Sequence, residues 1–179
     1  MKKIQIDDCI CHSRMKNHSQ IRDRILYEID RDAMSHNLKT EVDSISKLDW
    51  QNRRNSNRLW LKIFLPEFVE DLKEIISSMF YTGINLKECW YQQYLEDDTH
   101  QWHVHGENFT GVYYLEFPEG CSKTEVCSPY NSRIIEVDVV EGDLIVFPSH
   151  YLHGGLPNHG DRKTIVSFNF DITTYNAPT

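Results

Sequence analysis

The residues best equipped for chemistry are His103 and His105, in the run His103-Val104-His105, and His153, which lies 48 residues further on in His150-Tyr151-Leu152-His153-Gly154-Gly155. A neutral imidazole suits iron, copper, nickel and zinc, and three protein ligands that leave positions open mark a catalytic rather than a structural metal site. His103-Val104-His105 comes just before an aromatic, β-branched run, Phe109 to Phe117, that predicts a strand. Residues two apart in extended chain point to the same side, so both imidazoles can face one point. His153 follows the apolar run Leu144 to Phe147 and Pro148, again at a strand end. Nine histidines in 179 residues produce chance pairs, so it is the strand-end setting that sets these three apart. His12, His18, His36, His100 and His159 lack that setting and are read as surface or loop residues.

The elements that must position these histidines change character along the chain. After Ser19, a predicted N-cap, Ile21, Ile25, Leu26 and Ile29 recur at helical spacing. A second helix is predicted to begin at Pro66, to carry Phe68, Leu72, Ile75, Ile76 and Met79 on one side, and to end at Gly83. The polar run Gln51 to Arg58 between them reads as a solvent-exposed loop. From Leu86 onward, short runs predict strands: Cys89 to Leu95, Phe109 to Phe117, Ile134 to Val140, Leu144 to Phe147 and Thr164 to Phe170. Glu141-Gly142-Asp143 reads as a tight turn and Pro118 to Tyr130 as a longer loop. The expected class is α+β: a double-stranded β-helix, jelly-roll and cupin-like, with N-terminal helices packed on one sheet. Residues 1–179 are expected to form one domain, with 1–85 as mainly helical support and 86–175 as the β-helix core.

Composition narrows the classes. Nineteen basic against 27 acidic residues, net −8, disfavour nucleic-acid binding, which rests on lysine and arginine. The opening residues, charged at Lys2, Lys3, Asp7 and Asp8, lack a signal peptide's apolar run, and no later stretch is long enough to span a bilayer; a cytoplasmic protein is expected. Five scattered cysteines without Cys-x-x-Cys spacing read as reduced thiols, and Cys9-Ile10-Cys11-His12 as an incidental cluster.

Further residues extend the histidine pattern. Tyr94 stands nine positions before His103, and the histidine pair leads into Thr110-Gly111-Val112-Tyr113-Tyr114-Leu115. Gly142-Asp143-Leu144-Ile145-Val146-Phe147-Pro148-Ser149 leads to His153, and Ser167-Phe168-Asn169-Phe170 closes the series. Together these resemble the Fe(II)/2-oxoglutarate-dependent oxygenases, in their small prolyl-hydroxylase-like branch, over roughly Cys89 to Ile172. That resemblance implies a jelly roll, Fe(II) and 2-oxoglutarate as cofactors, molecular oxygen as co-reactant, and a small-molecule or peptide substrate. The family usually binds iron through His-x-Asp or His-x-Glu and a distal histidine; here His105 stands at the carboxylate position, with Glu107 as the alternative ligand. The resemblance also implies a basic residue on the closing strand for the distal carboxylate of 2-oxoglutarate. Arg162 with Thr164 fits that part, with Lys163 as the alternative one register away, and Tyr94 and Tyr113 are candidates for secondary contacts. The expected activity is hydroxylation coupled to oxidative decarboxylation of 2-oxoglutarate. Two rivals stand beside it: a three-histidine iron dioxygenase that does not use 2-oxoglutarate, and a non-catalytic metal-binding β-sandwich module.

Overall fold

The computed structural model describes residues 9–175, so the charged opening with Lys2, Lys3, Asp7 and Asp8 lies outside the described residues. The first helix, α1 (His18–Asp30), buries the expected stripe of Ile21, Ile25, Leu26 and Ile29. Its N-cap is Asn17 rather than Ser19, which falls inside the first turn. The second helix, α2 (Leu59–Ser78), starts one and a half to two turns earlier than Pro66 predicted, and Pro66 sits in its interior. A proline there removes the bond to the carbonyl four residues back. Burial of Trp60, Leu61 and Phe64 upstream outweighs that loss, because these side chains complete the apolar stripe. The helix ends before Gly83: Phe80 takes a left-handed φ of 64° and the next strand begins at Tyr81.

The strands form two antiparallel sheets. Seven make the major sheet: β1 (Cys11–Arg14), β2 (His36–Lys39), β3 (Ser44–Leu48), β4 (Tyr81–Tyr94), β6 (Phe109–Glu116), β9 (Asp143–Pro148) and β11 (Lys163–Tyr175), in the order β1-β9-β6-β11-β4-β3-β2. The minor sheet holds β5 (His100–His103), β7 (Thr124–Cys127), β8 (Ile134–Ile135) and β10 (Leu152–Gly155), in the order β5-β10-β7-β8. Non-sequential neighbours in both sheets give the double-stranded β-helix its jelly-roll winding. Two predicted segments change: Ile134 to Val140 contracts to Ile134–Ile135, and the loop Pro118 to Tyr130 contains β7.

Alternation along the long strands splits the core in two. Val166, Phe168 and Phe170 of β11 face the helices, with Phe64, Phe68 and Ile25. Ile165, with Val112, Tyr114, Ile145, Phe147 and Val126, fills the space between the sheets. Gln51 to Arg58 is not simply an exposed loop. Arg58 is buried, its guanidinium donating to Asp49 Oδ2 at 2.5 Å and to the Cys89 carbonyl at 2.8 Å. Asp49 also accepts from Trp60 Nε1 at 3.0 Å and the Tyr91 amide at 2.8 Å, which ties the segment before α2 to β4. Neither helix among the described residues is long and apolar enough to cross a membrane.

Candidate metal centre and cosubstrate pocket

β5 and β10 pair so that His103 and His153 are direct cross-strand partners. His105 lies just past β5, its amide donating to the Ser149 carbonyl at 3.0 Å, which draws it back over the sheet's end. One ligand nitrogen from each of His103, His105 and His153 lies within 4.8 Å of the others, and Glu107 is not part of that group. Two of the rings are oriented by backbone: His103 Nδ1 lies 2.7 Å from the Gln101 carbonyl and His153 Nδ1 2.9 Å from the Tyr151 carbonyl. A carbonyl only accepts, so Nδ1 carries the proton in each and Nε2 keeps its lone pair for a metal. Burial drives the His105 imidazole down to about 4 and that of His153 to about 3, and lowers His103 as well, so all three stay neutral at pH 7. Three neutral nitrogens held this way fit a divalent transition-metal ion with coordination positions to spare.

A narrow polar cavity of about 30 Å³ runs from these histidines between the sheets, lined also by Tyr94, Thr110, Val112, Thr124, Lys163, Ile165 and Ser167. The cation in it is Lys163, not Arg162. Its ammonium stands 4.5 Å above the Tyr94 ring centroid and donates to the Ser122 carbonyl at 2.7 Å. Burial pushes this lysine down to about 8. Arg162 belongs elsewhere, donating to both oxygens of Glu116 at 2.8 and 3.0 Å and to Asp30 at 2.9 Å. Thr164 likewise donates to Glu116, at 2.8 Å. The expectation of Arg162 with Thr164 as the anchor is therefore corrected by strand parity: Lys163, Ile165 and Ser167 share the cavity face, whereas Thr164 is on the other. Tyr113 is corrected on the same ground. It lies in the helix-facing core, and its hydroxyl is 2.7 Å from His18 Nδ1.

His100, read from sequence as a loop residue, lines the same cavity with its ring centroid 4.2 Å from that of His103. The two are three positions apart in sequence, whereas their partners His153 and Gly155 are two apart. The extra residue is a bulge, which puts His100 and His103 on one face despite their odd spacing. Gln92, unsuspected from sequence, links His100 Nδ1 (3.3 Å) to Ser167 Oγ (3.0 Å) across the cavity floor. No spacing signal marks it; a polar residue inside the aromatic run Cys89 to Leu95 was the available hint.

Residues 88–171 match a family model described as "Putative 2OG-Fe(II) oxygenase". Over this β core the chain is similar to the 2OG-Fe(II) oxygenases. Proteins of that family are enzymes with Fe(II) and 2-oxoglutarate as cofactors, and the three-histidine group lies within the matched residues. Solved structures agree in fold. A Pseudomonas putida prolyl-4-hydroxylase superposes with a TM-score of 0.67 at 16% identity, covering 93% of this chain and 94% of that one. A 2OG-Fe(II) oxygenase family oxidoreductase from Burkholderia pseudomallei gives 0.72 at 12% identity, covering 95% and 88%. The collagen prolyl hydroxylase of Paramecium Bursaria Chlorella virus-1, in complex with 2-oxoglutarate, gives 0.66 at 14% identity, covering 92% and 96%. No curated protein matches the chain by sequence.

Proposed function

We propose that this protein is a 2OG-Fe(II) oxygenase that couples oxidative decarboxylation of 2-oxoglutarate to hydroxylation of a substrate, with His103, His105 and His153 holding the iron and Lys163 holding the cosubstrate's distal carboxylate. The observation that carries the reading is that a triad of neutral imidazoles and a buried lysine line one cavity from opposite sheets. Bound there, Fe(II) supplies the redox chemistry that activates molecular oxygen. The chain's residues do the rest. The carbonyls of Gln101 and Tyr151 fix two ligand rings, Lys163 neutralises a carboxylate, and Val112 and Ile165 keep water from the space between. At about 30 Å³ the cavity admits a five-carbon diacid only after side chains shift, and Lys163, free to exchange the Ser122 carbonyl for a carboxylate, is the one placed to do so. The virus hydroxylase of similar fold takes 2-oxoglutarate, which supports the same ligand here.

The test is an anaerobic Fe(II) titration with and without 2-oxoglutarate, monitored for the metal-to-ligand charge-transfer band of a keto acid chelating iron. Its absence at saturating ligand defeats the proposal. One observation favours a second reading: among the described residues, no carboxylate joins the three-histidine group. A three-histidine dioxygenase independent of 2-oxoglutarate would show no band, would consume oxygen without the keto acid, and would tolerate loss of Lys163.

A further inference from the structure

A second cavity, of about 280 Å³, shares Trp90, Gln92, His100, His103 and His105 with the first and adds walls of its own. Leu38, Ile45, Leu48, Trp50 and Trp90 make it largely apolar, and among the described residues no lysine, arginine, aspartate or glutamate lines it. Trp50 is braced on two sides. Its ring meets Trp90 edge-on at 4.6 Å, and the Arg53 guanidinium covers it at 4.1 Å from the centroid. His36 also lines this cavity, and its Nδ1 is buried without a hydrogen-bond partner.

We infer that this cavity takes a neutral, largely apolar small molecule carrying one hydrogen-bonding group, with its apolar body against Trp50 and Trp90 and its polar atom on His36 Nδ1. As a statement about the substrate, this rests on the oxygenase reading above. The exclusion of charge follows from the lining, since an ion moved out of water into a space without a counter-charge loses its hydration uncompensated. The single polar group follows from His36. A buried nitrogen left unpaired costs free energy, and a ligand donor or acceptor placed there recovers it. The braced indole supplies rigid contact area that loses little conformational freedom on binding. Shared histidines then put the bound molecule beside the metal ligands rather than at a remote site.

The experiment uses 2-naphthol and its carboxylate counterpart 2-naphthoate as probes on the full chain, observing indole N–H signals by nuclear magnetic resonance. Four tryptophans give internal references, because Trp60 is 1% exposed in the helix-facing core and Trp102 does not line this cavity. Naphthol is expected to shift Trp50 and Trp90 and leave Trp60 unmoved, and naphthoate to bind at least about ten-fold more weakly. His36→Phe should weaken naphthol several-fold, and Leu38→Lys should invert the preference toward naphthoate. Equal or tighter binding of naphthoate to the native protein, or no response at Trp50 and Trp90, overturns the inference whether or not the variants fold. Adding Fe(II) and 2-oxoglutarate anaerobically to the same sample separates the two readings. A charge-transfer band without a naphthol response defeats the cavity inference alone; a naphthol response without the band defeats the oxygenase reading, and with it the substrate role.

Discussion

Lys163 and Tyr94 are Cα partners across β11 and β4, and the lysine ammonium lies 4.5 Å from the tyrosine ring centroid inside the histidine-lined cavity. A cation so placed, with a neutral carbonyl rather than a carboxylate as its hydrogen-bond partner, has charge to offer a ligand. Losing a charge-assisted pair in a buried site costs on the order of 2 to 5 kcal/mol, so Lys163→Ala should weaken 2-oxoglutarate binding by about thirty-fold or more. Arg162→Ala, which breaks the pairing with Glu116 and Asp30, should leave that affinity nearly unchanged. Calorimetry on the iron-loaded protein decides it; a large loss at Arg162 instead would restore the other register.

The same lysine sets a pH dependence. Burial holds it at about 8, against 10.5 for an ordinary lysine, so raising the pH through about 8 discharges the ammonium and 2-oxoglutarate affinity should fall. Stability of the ligand-free protein should move the opposite way. Between about 8 and 10.5 the unfolded chain holds this proton and the folded chain does not, so this group's contribution to stability rises with pH across that window. Lys163→Met should flatten both trends in paired calorimetry and denaturation series.

The metal ligands can be ranked by substitution. His103→Ala or His153→Ala should abolish stoichiometric Fe(II) binding, and His105→Ala should weaken it strongly. Glu107→Ala should leave it nearly unchanged, because that carboxylate is outside the converging group. Elemental analysis of the purified variants measures this directly, and retained iron after loss of either His103 or His153 would remove the assignment.

Asp49 and Arg58 make a buried pair that belongs to neither the three-histidine group nor the two cavity linings, so its loss should affect folding more than chemistry. Asp49→Ala strands the Arg58 guanidinium, the Trp60 indole and the Tyr91 amide without their shared acceptor. A cost of about 3 to 5 kcal/mol is expected in denaturant unfolding, with iron per folded molecule unaltered. A change under 1 kcal/mol would show that water replaces the carboxylate.

Much of this arrangement is legible from spacing alone, and the failures have physical causes. The stripe from Ile21 to Ile29 gave α1, and two-residue spacing put His103 and His105 on one side. His100 escaped because a bulge cancels its odd spacing from His103, and a bulge leaves no mark in residue type. The choice between Arg162 and Lys163 turned on a slip of one residue, which inverts every side chain of a strand. Resemblance favoured the guanidinium, and parity gave the position to the amine. The strands His36–Lys39, at the edge of the major sheet, and Ser44–Leu48, beside it and paired to β4 only through Lys47 and Leu48, were missed because positions at and near an edge tolerate polar residues, and their short pattern looks like a loop.

His103 and His153 stand on the minor sheet while Lys163 stands on the major one, so the gap between a metal held by these histidines and the lysine ammonium is set by the thickness of the sandwich. Under the proposed function the fold would then work as a caliper for the diacid. Its jaws are set by Val126 on one side and by Ile145 and Phe147 on the other, residues that do not line the cavity but fix how far apart the sheets stand. Thinning this layer, as by Phe147→Leu, should shift the preference among keto diacids toward one carbon fewer, measurable as the ratio of oxaloacetate to 2-oxoglutarate affinity. Selectivity for the length of a cosubstrate would thus be written in side-chain volumes that lie outside the set of proposed binding residues.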